Sequence, residues 1–254
     1  MTRPVVLVTG AARRVGRAIA ERFAEAGWHV VIHYRSSADE AEALAAALPS
    51  AEARGCDLGD AEAVARLVED LAARFSDWRC CVASASQFEP DAATALDPAV
   101  FDRMMAVNAR ASLHLLQRYL QSARSPVGRR AIAITDQKLA NPNPDFFSYT
   151  LSKAALAQAI PLLAMGAADD ADRIYALAPG AILPSHDQDP AEIEISHRLN
   201  LLRRKTQADE VADACLFLAA GLLASGEPLF VDSGQHLLRQ PRDVIYLARE
   251  AGAP

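Results

Sequence analysis

Residues 4–30 read PVVLVTGAARRVGRAIAERFAEAGWHV. A run of apolar β-formers, Val5 to Val8, leads into Thr9-Gly10, and a helical pattern begins near Val15 and stops at Gly27. A strand feeding a turn that opens a helix is the layout of a phosphate-binding βα unit. Gly10 lets the backbone bend, and Gly16 lets the helix start close to the sheet and to a pyrophosphate. Where such turns usually carry a further small residue, this one has two arginines, Arg13 and Arg14.

Beyond this unit, strand-like and helix-like segments keep alternating. The next strands are expected at 29–34, 51–55, 79–86 and 129–136, then at 173–179 and 228–234. Between them helices are expected at 38–48, 61–75, 98–123 and 147–168, followed by two stretches near 190–202 and 207–223. Repeated β-α units imply a mostly parallel sheet of about seven strands with helices on both faces. The right-handed crossover rule then points to one doubly wound Rossmann-type α/β domain over residues 1–254. No Gly/Ser-rich linker, low-complexity tract or internal repeat interrupts it.

The composition is that of an ordinary globular chain, 51% apolar with a net charge of −6. That balance speaks against a nucleic-acid binder, which needs a basic face. Cys56, Cys80, Cys81 and Cys215 lack metal or redox spacing and read as small buried hydrophobes in a reducing compartment. The scattered histidines form no ligand pair, so no metal is expected. Met1-Thr2-Arg3-Pro4 passes straight into the first strand, and no apolar run would span a bilayer. A cytoplasmic protein acting on a small molecule is the expectation.

The end of the second strand addresses which nucleotide. NAD enzymes commonly place an acid there to hold the ribose hydroxyls. This chain has Tyr34-Arg35-Ser36-Ser37 and no acid before Asp39. A carboxylate would repel a 2′-phosphate, whereas a guanidinium and two hydroxyls would bind it. With Arg13 or Arg14 across the turn, NADPH is favoured over NADH. Asp57 after the third strand either contacts the adenine or caps the following helix.

The segment 135–156, TDQKLANPNPDFFSYTLSKAAL, carries the chemistry. Tyr149 and Lys153 are four apart and share one helix face. An ammonium nearby is expected to lower the phenol's pKa and make it a usable general acid.

With TGAARRVG, CDL, Asn108 in VNAR, YTLSK, APG and VDSG, the chain resembles the short-chain dehydrogenase/reductase family over nearly its whole length. The resemblance implies Tyr149 as proton donor, Lys153 holding the nicotinamide ribose and tuning Tyr149, and Asn108 holding a relay water. The implied NADPH/NADP+ site comprises Gly10, Arg13, Arg14, Val15, Gly16, Tyr34, Arg35, Ser36, Asp57, Leu58, Ser84, Lys153, Pro179, Gly180 and Ile182. A homo-oligomer is also implied, a dimer or a tetramer, the latter built on the long helices after strands four and five.

Departures from the family pattern sharpen the reading. Where the family's catalytic serine should stand, thirteen positions before Tyr149, the residue is Asp136. An ionised carboxylate would oppose the oxyanion of a carbonyl reduction, but a C=N bond takes a proton on nitrogen as hydride adds to carbon. Asp136, the turn arginine and ASASQF after strand four resemble the pteridine reductase branch. That resemblance implies Phe88 stacking on a pterin, Ser86 touching substrate or cofactor phosphate, and Arg14 serving both. The family's usual N-N-A-G reads Ala83-Ser84-Ala85-Ser86, and the threonine expected after Pro179-Gly180 is replaced by AILPSHDQDP. Residues 181–206 are expected to form a substrate loop or lid. For the tail, 239–254, the sequence suggests no role. The expected activity is reduction of a dihydropterin, such as dihydromonapterin or dihydrobiopterin, with dihydrofolate as a further candidate. The alternatives are a ketone or 3-oxoacyl reductase and a non-catalytic nucleotide-binding protein.

Overall fold

A computed structural model describes residues 3–167, 169–184, 188–226 and 228–252. The expected end of a helix at Ala168, and Ser185, His186 and Asp187 of the expected lid, lie outside these residues.

The elements follow the expected alternation. They are β1 (Val5–Val8), α1 (Arg14–Glu25), β2 (His29–Tyr34), α2 (Ala38–Ala47), β3 (Ala51–Gly55), α3 (Ala61–Arg74), β4 (Trp78–Ala83) and α4 (Pro98–Met104). Then come a π-helical segment (Met105–Ala111), α5 (Ser112–Ser122), β5 (Arg130–Ile134), α6 (Phe147–Met165), β6 (Arg173–Pro179), α7 (Pro190–Ser196), α8 (Ala208–Ala219), β7 (Pro228–Val231) and α9 (Val244–Gly252). Seven strands form one parallel sheet in the order β3-β2-β1-β4-β5-β6-β7. The order reverses between β1 and β4, which opens a crevice at the carboxyl ends of the strands.

The two-residue strand period divides the core. Val6, Val8, Ile32, Cys80, Val82 and Ile132 face one layer, packed with α1 and α8. Val5, Leu7, Val31, Cys81, Ala83 and Ala131 face the other, packed with α3, α5 and α6. The adjacent Cys80 and Cys81 therefore point to opposite sides, and all four cysteines are buried and free. Burial pushes the Cys80 and Cys81 thiols up, which keeps them protonated.

Four expectations need correction. The single helix expected over 98–123 is divided by the π-helical segment, whose wider turn carries Asn108. The helix expected to Leu202 ends at Ser196, after which Asn200 Nδ2 donates to the His197 and Arg204 carbonyls and turns the chain. The next one ends at Ala219, before Gly221 at φ +73°. The cap of α3 is Asp60, not Asp57, since Asp60 Oδ1 accepts from Glu62 N and Ala63 N. Among the described residues no helix is long and apolar enough to cross a membrane.

Candidate active site

A cavity of ≈ 640 Å³ fills the crevice at the switch point. All the residues expected at the cofactor line it, from Gly10 and Arg13–Gly16, through Tyr34–Ser36, Asp57, Leu58 and Ser84, to Pro179, Gly180 and Ile182. Gly10 has φ +64°, and a Cβ on Gly16 would stand 2.5 Å from the Gly10 carbonyl oxygen, so the turn tolerates only glycine there. Arg14 occupies the left-handed region at φ +57°, where the expected middle glycine would sit at no cost.

The cavity fits a dinucleotide phosphate on observations independent of sequence pattern. Arg13 at the N-cap of α1 makes no side-chain cap, so the positive end of that helix opens toward the cavity. Arg35, Ser36 and Ser37 line the same end with no carboxylate among them. Arg13 is held by Glu40 of α2, and Arg14 Nη2 donates to the Pro184 carbonyl at 3.3 Å. The turn arginines thus touch both α2 and the loop after β6.

At the other end, α6 presents Tyr149. Phe146 enters the helix at φ +51°, and Asp91 from a separate loop accepts from Ser148 N at 3.0 Å, capping the first turn. Tyr149 Oη donates to Asp136 Oδ2 at 2.7 Å, and Asp136 Oδ1 accepts from Lys138 N at 2.8 Å. Lys153 Nζ donates to the Ile134 carbonyl at 2.8 Å and stands 5.8 Å from the Tyr149 ring centre. Burial raises the Asp136 carboxyl above its usual range, against the Lys138 N–H, the Tyr149 hydroxyl and the two nearby ammonium groups. Burial also lowers Lys153 to about 8, with Asp136 opposing. The Tyr149 phenol is pushed well above its usual value by burial and then by Asp136. This corrects the expected lowering by Lys153: burial and the neighbouring carboxylates Asp136 and Asp243 set the direction.

Asn108 does not line the cavity. It is fully buried behind the wall, where Oδ1 accepts from Gln87 N at 2.8 Å and Nδ2 donates to Ser152 Oγ at 3.0 Å. Together with Thr9 Oγ1, which accepts from Ser84 N and Ala85 N at 2.9 Å each, it braces the loop where the family's asparagines are missing. Ser86 and Phe88 line the cavity. The Phe88 ring is 38% exposed, stacks on Phe146 at 4.2 Å and meets the Tyr149 ring edge-on at 4.7 Å.

Sequence reasoning missed His33, Lys138, His197, Gln235, Asp243 and Ile245, all of which line the same cavity. The last two come from the tail, whose helix α9 forms part of the wall. Arg242 Nε binds Asp145 at 2.8 Å, Arg249 Nε binds Glu192 of α7 at 3.0 Å, and Lys138 Nζ lies 3.3 Å from Asp243. The missed signal was the alternation of Asp, Arg and apolar residues in 242–250, an amphipathic helix with charged ends.

A family model described as enoyl-(acyl carrier protein) reductase matches residues 10–236. The chain belongs to the short-chain dehydrogenase/reductase family. Among solved structures of this family, FolM alternative dihydrofolate reductase 1 from Brucella canis, complexed with NADP, is 35% identical. It superposes with a TM-score of 0.86, covering 92% of this chain and 94% of that one. Pteridine reductase 1 of Leishmania tarentolae is 27% identical, covering 94% of this chain and 98% of its own length. NADPH-dependent aldehyde reductase 2 of Arabidopsis thaliana is 28% identical, with 91% and 93% covered. Family members with this scaffold thus carry names from both pterin and carbonyl chemistry.

Proposed function

We propose that the protein is an NADPH-dependent reductase of a dihydropterin, converting a ring C=N bond to the amine. The single observation that carries this reading is the 2.7 Å bond between Tyr149 and an aspartate, in a position where a carbonyl reductase needs a neutral donor. Arg35, Ser36 and Ser37 at the end of β2, with no carboxylate among them, and the NADP-bound relatives support NADPH.

When bound, the reduced cofactor supplies hydride to the ring carbon. The chain supplies the proton. Asp136, its pKa raised by burial, and Tyr149 form a donor pair that delivers a proton to the ring nitrogen as the C=N bond is reduced. Lys153 holds the ribose and places its charge beside the pair. Phe88, backed by Phe146 stacked behind it, provides a flat apolar wall that packs a planar heterocycle and excludes water. Arg14, reaching from the phosphate turn to the loop after β6, contacts both phosphate and pterin. Asn108 acts from behind the wall, holding the Gln87 backbone through its Oδ1 and Nδ2 and the Ser86 hydroxyl through Oδ1.

The protein also assembles with copies of itself. On α6, Leu151, Leu162 and Met165 are exposed at spacings of eleven and three, which sets them on one helix face.

The test is cofactor oxidation with dihydromonapterin, dihydrobiopterin and dihydrofolate, run beside a panel of ketones and 3-oxoacyl thioesters. Turnover of a pterin that is lost in Tyr149→Phe supports the proposal. Turnover of ketones alone sinks it and makes Asp136 a tolerated substitution. Substrate-independent NADPH binding with no turnover of either class would leave a nucleotide-binding protein.

A further inference from the structure

His33 is a buried histidine on β2 that no proton-transfer step uses. Its ring stands between two backbone groups of fixed character. Nδ1 receives the Gly10 N–H at 3.2 Å, and Nε2 lies 2.9 Å from the Cys56 carbonyl oxygen. A backbone N–H only donates and a carbonyl only accepts, so Nδ1 carries no proton and Nε2 carries one. An imidazolium would set N–H against N–H. The His33 main-chain carbonyl adds a third tie by accepting from Ala11 N at 3.0 Å. One residue therefore holds both of the first two amides of the turn that begins at Gly10.

We propose that His33 is a positioning residue for the dinucleotide: its neutral Nε2–H tautomer fixes the Gly10–Ala11 turn so that the open end of α1 meets the pyrophosphate. The inference rests on the reading that this cavity takes NADPH. Two further observations agree with it. Gly10 sits at φ +64° and its Cα packs closely under Ala85, where an ideal Cβ would come within 3.1 Å of the Ala85 Cα, so the turn has one productive arrangement against the β4 loop. Burial also lowers the imidazole to about 4, against the Cys56 carbonyl and Asp57, the charge that faces it, so the ring stays neutral in ordinary buffers.

Among the described residues the Gly10 N–H meets no other acceptor. Removing Nδ1 leaves a desolvated donor, and the loss should appear in binding rather than in chemistry, because His33 touches no reacting atom. His33→Phe keeps a flat ring and removes both polar atoms. His33→Gln places its amide near the Nε2 position and leaves Gly10 unmet, while His33→Asn places an amide oxygen near the Nδ1 position. His29→Asn, on the same strand and away from the cavity, is the control.

NADPH affinity is measured by fluorescence titration, and KM for NADPH and kcat by steady-state kinetics. The expected result for His33→Phe and His33→Gln is a rise of about tenfold in Kd and KM, with kcat at saturation within about twofold of wild type. His33→Asn should recover most of the affinity, and the control should move neither quantity. Wild-type NADPH affinity in His33→Phe would overturn the role of His33 while leaving the cofactor reading intact. Failure of the unaltered protein to bind NADPH would instead sink the cofactor reading, and this inference with it. If His33→Phe does not fold, nitrogen-15 NMR of the unaltered protein decides: a proton on Nε2 alone supports the proposal, and a proton on Nδ1 overturns it.

Discussion

On the proposed reading, Asp136 beside Tyr149 lets one residue redirect a scaffold. A serine at 136 would offer a neutral donor to a developing oxyanion; the carboxyl offers a proton to nitrogen and a repulsive charge to oxygen. Asp136→Ser is therefore expected to lower kcat for a dihydropterin by about 10²–10⁴-fold, the usual worth of a positioned acid, and to raise turnover of ketones. Parallel assays on both substrate classes check this, and equal losses on both would show Asp136 to be structural. The pH profile depends on the same groups. Asp136 is raised, so its protonated form persists to higher pH than an ordinary carboxyl, and proton delivery fades as pH rises past that value. Lys153, lowered to about 8, then loses its charge and weakens ribose binding above that pH. Pterin turnover should fall on the alkaline side; a kcat/KM that keeps climbing beyond about pH 8 contradicts both assignments. That Tyr149, Lys153 and Asp136 come together was legible, Tyr149 and Lys153 from their four-residue spacing on one helix and Asp136 from the resemblance to the family. The sign of the tyrosine shift was not legible. It depends on burial and on a 2.7 Å contact, and neither is a property of spacing.

The elements divide the same way. Buried strands such as β1 and β4 announce themselves by continuous apolar runs, and the glycine turn after β1 fixes where α1 begins. The π-helical segment was invisible because its wide turn spans only Met105–Ala111 and is stabilised from outside, by Gln87 and Ser152 meeting Asn108. Helix α9 was invisible as a functional element because its partners lie about a hundred residues away: Asp145 is met by Arg242 and by Asp243 N, and Phe146 stacks with Tyr246 at 5.9 Å. Burial would raise Asp145, yet Arg242 and the Asp243 N–H hold it below the usual carboxylate range. Arg242→Ala leaves that buried carboxylate short of its cation and should lower Tm. Because α9 lines the cavity through Val244 and Ile245, the variant should also raise KM for the substrate more than KM for NADPH. Unchanged melting and unchanged KM would show that α9 is not a wall of the site.

At the scale of the whole molecule, the doubly wound sheet explains why the cofactor and proton residues meet although Gly10 and Tyr149 are far apart in the chain. Both belong to turns at the carboxyl ends bordering the β1/β4 reversal, or to helices leaving it. Among the described residues the same architecture leaves the outer face of α6 exposed. Leu162 is 66% exposed and Met165 84%, far more than the inward Leu156 and Ile160 of the same helix. A helix that buries one stripe and exposes a second apolar stripe is suited to packing on its symmetry mate, each copy offering the same surface. Since α6 also carries Tyr149 and Lys153, assembly would stiffen the helix that holds the proton donor. The double variant Leu162→Glu, Met165→Glu puts two like charges opposite their copies and should convert the assembly to a smaller species in sedimentation velocity. Its turnover should fall with dissociation and recover as protein concentration drives reassembly. A wild-type protein that sediments as a monomer at all concentrations would sink this prediction, and a variant that dissociates with full activity would separate assembly from catalysis.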